Sequence, residues 1–524
     1  MSFVHLHVRS EYSMLEGACR LTDKRKVDKE TKEKKGPAKS LPAKAAELGM
    51  PAVALTDMAN MFGAIEFQFA CKDAKIQPVL GCELWVAPSG RKDRSPGAKA
   101  YPLVALCETL EEGYRNLCAL ITLSHTEGYY GRPRVDRELL EGHSKGLIFL
   151  SGGPDGEIDQ HLRAGQDDKA LELVRWYRDL VGPDHFFLEL QDHGLSEERS
   201  VNSRLRAIAA SEGLRCVATN GVLCLEKDQH EVIEVLGCIR TATKLADETR
   251  PRLPAQESHF KSGDEMRALF ADCPEVCDLT LEIAARCQVK IPTGDYFYPS
   301  FPLPEGFGND DDYLAHMSRE GLRKRWPDPP QAAVDRLEYE LEMMKKMKVA
   351  GYMLIVADFM QEARRMGIPV GPGRGSAVGS LVAYCTGITD VDPLQYSLLF
   401  ERFLNPERIS MPDIDSDFSD LDRERIIQYV KDKYGKECVA QIITYGRLKS
   451  KAALKDTART LGLDHQEVNR LTKLFPPPVA GKEPTLEEAL EQSPPLKEAV
   501  DANPGYQRAF EIANKVRGKM LEQD

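Results

Sequence analysis

None of the thirteen cysteines pairs with another in C-x-x-C spacing, so neither a zinc ribbon nor a disulfide framework is indicated. Long apolar runs are missing too. No stretch approaches the roughly eighteen residues that a membrane-spanning helix needs. The opening MSFVHLHVRSEYS lacks the apolar centre of a signal peptide. Positive charge is in deficit: the formal net charge is −12. That argues against a generic nucleic-acid coat, although a local basic groove is compatible with it. Together these absences give a reducing, cytoplasmic setting as the plain expectation, without a membrane partner.

What is present is ordinary globular material. The 524 residues are 42% hydrophobic and 29% charged, enough for about two to four domains with real cores. Six apolar runs read as buried strands, at 52–56, 77–87, 101–107, 146–152, 185–191 and 214–220. Amphipathic stretches such as DKALELVRWYRDLV lie between them. Strands alternating with helices predict an α/β domain with parallel strands, and so many units suggest a barrel. The lysine-rich KRKVDKETKEKKGPAK at 24–39 interrupts this pattern and reads as a solvated insertion, with a nucleic-acid contact as the alternative. A Pro-, Gly- and aromatic-rich linker follows near 290–310. Beyond it come two helical stretches. From about 445 the pattern is helical and basic, with Arg447, Lys449, Lys451, Lys455 and Arg459.

Between these parts lies PDIDSDF, with Asp413, Asp415 and Asp417 at every second position. On a strand this spacing puts the three on one face, with neighbours about 6–7 Å apart. Carboxylates so arranged repel unless a cation or protons neutralise them. Hard ions such as Mg²⁺ prefer such oxygen ligands, and two of them can serve phosphoryl transfer. The bland alternative is a polar edge strand or turn, but strands are usually depleted in aspartate. Upstream, GPGRGS supplies Gly371, Gly373 and Gly375 for close backbone approach, Arg374 as a planar fork for phosphate and Ser376 as a donor. The following SAVGSLVAYCTG reads as a helix whose first amides could face an anion. This loop is neither a Walker loop nor G-x-G-x-x-G. Its weight comes from the aspartates downstream and from Arg402 and Arg408 between.

The run from GPGRGSAVGSLVAY through GITDVDPLQYSLLFERFLNPERISMPDIDSDF strongly resembles the palm of bacterial replicative C-family DNA polymerases. HLHVRSEYSMLEG, PAVALTDMANMFGAIEF and IQPVLGCE resemble the PHP domain of that family, and VAQIITYGRLKSKAALKD its passage from palm to thumb. The resemblance extends to about residue 515. It implies a PHP-type β/α barrel at 1–290, a polymerase-beta-like nucleotidyltransferase palm of α+β type at 291–444, and a helical thumb at 445–524. It also implies that Asp413 and Asp415 are catalytic and hold two Mg²⁺ ions, and that Arg374, Gly375, Ser376 and Arg402 bind the triphosphate. Arg447, Lys449, Lys451 and Lys455 would contact DNA. The implied partners are primer–template DNA, deoxynucleoside triphosphates, and the sliding clamp and proofreading exonuclease of a replisome.

Two departures stand against the family pattern. Of the PHP metal ligands, His5, His7, Glu16 (where Asp is usual) and Glu83 survive. Met58, Pro102, Gly153, Gly221 and Leu223 stand where other ligands belong, and none of these side chains is a hard donor. No PHP metal is therefore expected. The strand bearing the family's third catalytic aspartate, the fingers, the clamp-binding segment and the C-terminal OB domain are not found in this stretch, so a truncated chain, inactive by itself, is expected. Two readings of other classes remain open. One is a PHP-type metallo-phosphoesterase, to be separated by a metal assay. The other is a non-catalytic scaffold binding DNA or replisome partners, to be separated by primer extension.

Overall fold

The computed structural model describes all residues except Met1, 23–38, 295–296, 298–299, 406–410, Ala480 and Asp524. Most of the lysine-rich insertion, and Arg408, lie outside the described residues. The chain forms two compact units, one from residues 1–292 with 444–524 and one from 293–443.

Six strands form where the apolar runs fall: β1 (Ala52–Leu55), β2 (Gln77–Val86), β3 (Tyr101–Cys107), β4 (Leu147–Leu150), β5 (Phe186–Leu190) and β6 (Arg215–Ala218). They pair in sequence order. Residues 5–9 join the two edges of this sheet. On one side the Ala54 N–H donates to the His5 carbonyl and the Thr56 N–H to that of Val8, both at 2.9 Å. On the other, the Arg9 N–H donates to the Val222 carbonyl (2.9 Å) and the Val222 N–H to that of His7 (3.0 Å). Residues 5–9 thereby link β1 to the segment just past β6, and the sheet curls into a barrel-like half-turn. Its interior is apolar, with Leu6, Val79, Val104, Leu150 and Phe187 fully buried, while Val53, Leu80, Leu84, Phe149 and Phe186 on the opposite strand faces pack into the larger core with the helices.

The strands are not all parallel, as the alternation had suggested. β2–β3 and β3–β4 are antiparallel, whereas β1–β2, β4–β5 and β5–β6 are parallel. The connection from β2 to β3 holds no helix, and a parallel return needs a long crossover that this loop does not supply.

The C-terminal helices Ser450–Thr460, His465–Lys473, Leu486–Gln492, Pro494–Asp501 and Pro504–Val516 share one hydrophobic core with helix His230–Thr241 of the first unit. Leu454, Leu496 and Val516 are at most 1% exposed there, each contributing about 1.5–3 kcal/mol by burial. Two ends are tied down as well. Arg20 donates to the Arg517 carbonyl at 2.8 Å, and Tyr445 meets the Tyr12 ring edge-on at 5.5 Å. A short ladder pairs β7 (Tyr445–Arg447) with β8 (Met520–Gln523).

The second unit is built on helices Asp310–Arg325, Gln331–Lys346 and Ala350–Arg365. Their buried faces enclose Leu314, Leu337, Met353, Leu381 and Phe400. Glu340, fully buried in this core, accepts from Ser380 Oγ (2.8 Å) and from the Val382 amide (3.0 Å). It thereby satisfies a free amide in the first turn of helix Leu381–Cys385 and anchors the segment that follows the glycine-rich loop.

Candidate active site: two carboxylate clusters

Within the second unit, the glycine-rich loop and the aspartates come together. Val370 and Phe418 form an antiparallel bridge. The Gly371 amide donates to the Asp417 carbonyl at 2.9 Å, and the Ser419 amide to that of Pro369 at 3.3 Å. Ile414 and Phe418 pack against hydrophobic cores while Asp413 and Asp417 are exposed. The alternation read from PDIDSDF is thus realised. Beyond the single bridge at Phe418, however, residues 411–417 carry no strand ladder. Flanking packing, not sheet pairing, sets their faces.

Arg374 closes the cluster. Its guanidinium lies 3.1 Å from Asp415 and 3.2 Å from Asp417. One fork spanning residues i and i+2 shows that these two carboxylates face the same way. Gly375 sits at φ +72°, where an added Cβ would lie 3.0 Å from Asp415 Oδ2. A Cβ on Gly371 would lie 3.0 Å from that of Asp417. The glycines are needed for this approach, not only for the turn. Ser376 opens the 3-10 turn Ala377–Gly379 without capping it through its side chain. That turn precedes helix Leu381–Cys385, so the segment read as one helix begins as a 3-10 turn. Arg402 ends the turn Phe400–Arg402 and is exposed. It forms no ion pair with a described residue.

The hard oxygens of Asp413, Asp415 and Asp417 suit a divalent cation by donor type. Among the described residues, though, no three His, Cys, Asp or Glu side chains are arranged to hold a metal ion.

The barrel carries the second cluster. His7 donates from Nδ1 to Glu189 (2.7 Å) and from Nε2 to Glu83 (2.9 Å). Arg9 grips both oxygens of Glu83, at 2.9 and 2.7 Å, and reaches Glu16 at 3.1 Å. Burial opposes charge on His7, Arg9, Glu83 and Glu189, but the paired partners prevail. His7 is pushed up to about 10 by Glu189 and Glu83, and Glu83 is held down at about 2 by Arg9 and His7. His5 stands apart: its Nε2 meets the Lys261 carbonyl at 2.8 Å, and burial drops it to about 4. Asp57 accepts from the Ser10 amide and the Ser10 and Ser13 hydroxyls, and its burial raises its pKa. The four surviving ligand residues are therefore not assembled around one point. Both ring nitrogens of His7 and both oxygens of Glu83 already have partners, so this donor set does not fit a metal. Sequence reasoning missed Arg9 and Glu189. Glu189 carried a signal, as the single charge in the apolar strand HFFLELQ.

Of the basic residues near the C-terminus, Arg447, Lys449 and Lys455 are exposed and Lys451 is half-buried, its ammonium 5.7 Å from the Phe475 ring. None of the four pairs with a carboxylate among the described residues.

Comparison with known proteins gives two family matches, the second of which runs past the second unit into the C-terminal helices of the first. Residues 5–193 match the PHP domain family, and residues 312–522 match the bacterial DNA polymerase III alpha NTPase domain. The two matches together make the chain similar to PHP-containing polymerase-type proteins. DNA polymerase III subunit alpha of Treponema pallidum (strain Nichols) is 42% identical over 521 residues, covering 98% of this chain and 42% of the relative. That of Thermus aquaticus is 39% identical over 582 residues, covering 99% and 46%. The chain is thus similar to bacterial DNA polymerase III alpha subunits and spans somewhat less than half the length of these relatives. Among the described residues, no helix is long and apolar enough to cross a membrane.

Proposed function

We propose that this chain carries the nucleotidyl-transfer site of a DNA-directed DNA polymerase, the replicative alpha subunit, which adds deoxynucleoside triphosphates to a primer 3′-hydroxyl in the cytoplasm. The observation that supports this best is the junction of the glycine loop with the aspartates, made by the Gly371–Asp417 hydrogen bond and the Arg374 fork. Asp413 and Asp415 would hold Mg²⁺, with Asp417 beside them. Bound there, two ions would activate the attacking oxygen and stabilise the leaving one. Arg374 is a weakly held cation on exposed carboxylates and is free to turn to a triphosphate. Gly375 and Ser376 line its approach, and Arg402 would add a second cation.

In this reading residues 1–290 are the PHP domain, 291–444 the palm and 445–524 the thumb. Arg447, Lys449 and Lys455, exposed and without an ion-pair partner among the described residues, would with Lys451 track the phosphate backbone without reading sequence. The barrel serves as a structural platform without hydrolytic activity, because its surviving donors are bound to one another. Sliding clamp and proofreading exonuclease would be the partners in the replisome.

Primer extension by a polymerase-length chain tests the site. Asp413→Asn or Asp415→Asn should abolish extension while primer–template binding survives, and near-normal extension by either variant refutes the assignment. For the thumb, the Lys449→Ala/Lys455→Ala variant should lower the salt slope of DNA binding by about two. An unchanged slope places the DNA elsewhere.

A further inference from the structure

Arg336 and Glu340 lie one turn apart on helix Gln331–Lys346, and their side chains pair at 2.7 Å. Glu340 is wholly buried, and the Arg336 side chain is 22% exposed. From this helix the pair reaches two separate stretches of the chain. Arg336 Nη2 donates to the Gly379 carbonyl at 3.0 Å and to the Leu398 carbonyl at 3.4 Å. Its guanidinium also lies 5.8 Å from the centroid of the Phe400 ring. Through its other oxygen Glu340 takes the Ser380 hydroxyl and the Val382 amide. Burial pushes the Glu340 carboxyl up, and these donors together with Arg336 pull the other way. The two stretches also touch directly. A Cβ on Gly379 would lie 2.6 Å from the Leu399 carbonyl oxygen, so only glycine admits this approach.

Each stretch is one turn away from a residue of the nucleotide site. The Gly379 amide donates to the Ser376 carbonyl at 3.0 Å, and the Arg402 amide to that of Leu399 at 3.4 Å. Ser376 is half-buried and Arg402 exposed, whereas the anchoring Gly379 and Phe400 are buried. We infer that Arg336 is a positioning residue for nucleotide binding: backed by Glu340, its fork holds the Ser376 segment and the Arg402 segment at a fixed separation, so that a triphosphate meets both at once. This rests on the nucleotidyl-transfer reading above and adds to it a residue that acts through others and not on the substrate. A guanidinium suits the task because its donors lie in one rigid plane, with Nε committed to Glu340 and Nη2 to the two carbonyls. Segments ordered in advance spare the ligand the cost of ordering them on binding.

Steady-state primer extension by a polymerase-length chain tests this, with primer–template affinity and melting temperature measured on the same variants. Arg336→Ala should raise the nucleotide KM at least about tenfold, while primer–template affinity stays within about twofold. A merely structural brace would instead lower the folded fraction, which reduces the apparent kcat and leaves KM in place. Arg336→Lys keeps a charge beside Glu340 but offers no fork, so it should recover the melting temperature and keep the raised KM. A KM restored by lysine shows that charge alone suffices and overturns the role of the fork. Should Arg336→Ala fail to fold, the KM of Arg336→Lys decides instead. Asp415→Asn is measured in parallel. Near-normal extension by that variant sinks the catalytic-site reading and this inference with it. Extension lost there, with the nucleotide KM unchanged on substituting Arg336, overturns the positioning role alone.

Discussion

Glu83 and Asp415 are both carboxylates gripped by an arginine, yet one is sealed and the other open. The Glu83 side chain is wholly buried and Arg9 is 17% exposed, with His7 completing the enclosure. Asp415 is 38% exposed and its partner Arg374 is 59% exposed. Removing ions from water demands that each be matched inside the protein, so every acceptor at Glu83 is fixed by a permanent internal cation. Ions left in water are screened and exchange partners at little cost. A cluster of acids can accept a ligand only where its own cations are loosely held, and here that condition is met in the second unit and not in the barrel.

The largest effect expected is on chemistry. Asp415→Asn, in a polymerase-length chain, should lower single-turnover extension by at least about a thousandfold, roughly 4 kcal/mol of transition-state stabilisation. The same type of change in the barrel should leave chemistry alone and cost stability. Glu83→Gln strands Arg9 and His7 and should destabilise the first unit by about 3–5 kcal/mol in denaturant unfolding. If Glu83→Gln cost nothing, the barrel network would not be a sealed one.

The pH dependence sharpens the contrast. His7 is raised from 6.5 to about 10, so its contribution is complete below 6.5 and is lost as pH rises through 10. The stability gap between the unsubstituted chain and His7→Gln should therefore shrink by about a few kcal/mol across that window. Glu83, lowered from 4.5 to about 2, behaves oppositely: its share is present above 4.5 and disappears as pH falls towards 2. A gap that is flat from 6.5 to 10 would mean that His7 is neutral. The smallest effect belongs to Arg374→Ala, which should change stability by less than about 1 kcal/mol because its partners are exposed. A loss equal to that of Glu83→Gln would erase the difference between the clusters.

Much of this was readable in one dimension. The six apolar runs fall on the six strands, and the alternation in PDIDSDF sends Ile414 and Phe418 inward and the aspartates outward. Such features arise from local periodicity, which side-chain spacing alone dictates. Partnerships across long separations are another matter. His7 meets Glu189 across 182 residues, and Arg374 meets Asp417 across 43. The basic C-terminal helices find their core on helix His230–Thr241. β2 and β3 run antiparallel across a loop without a helix, and β3 and β4 run antiparallel although helices connect them. No local pattern specifies these, because they depend on which buried groups the curled sheet and the packed helices bring together, and a buried charge must be satisfied by whichever opposite charge the fold delivers.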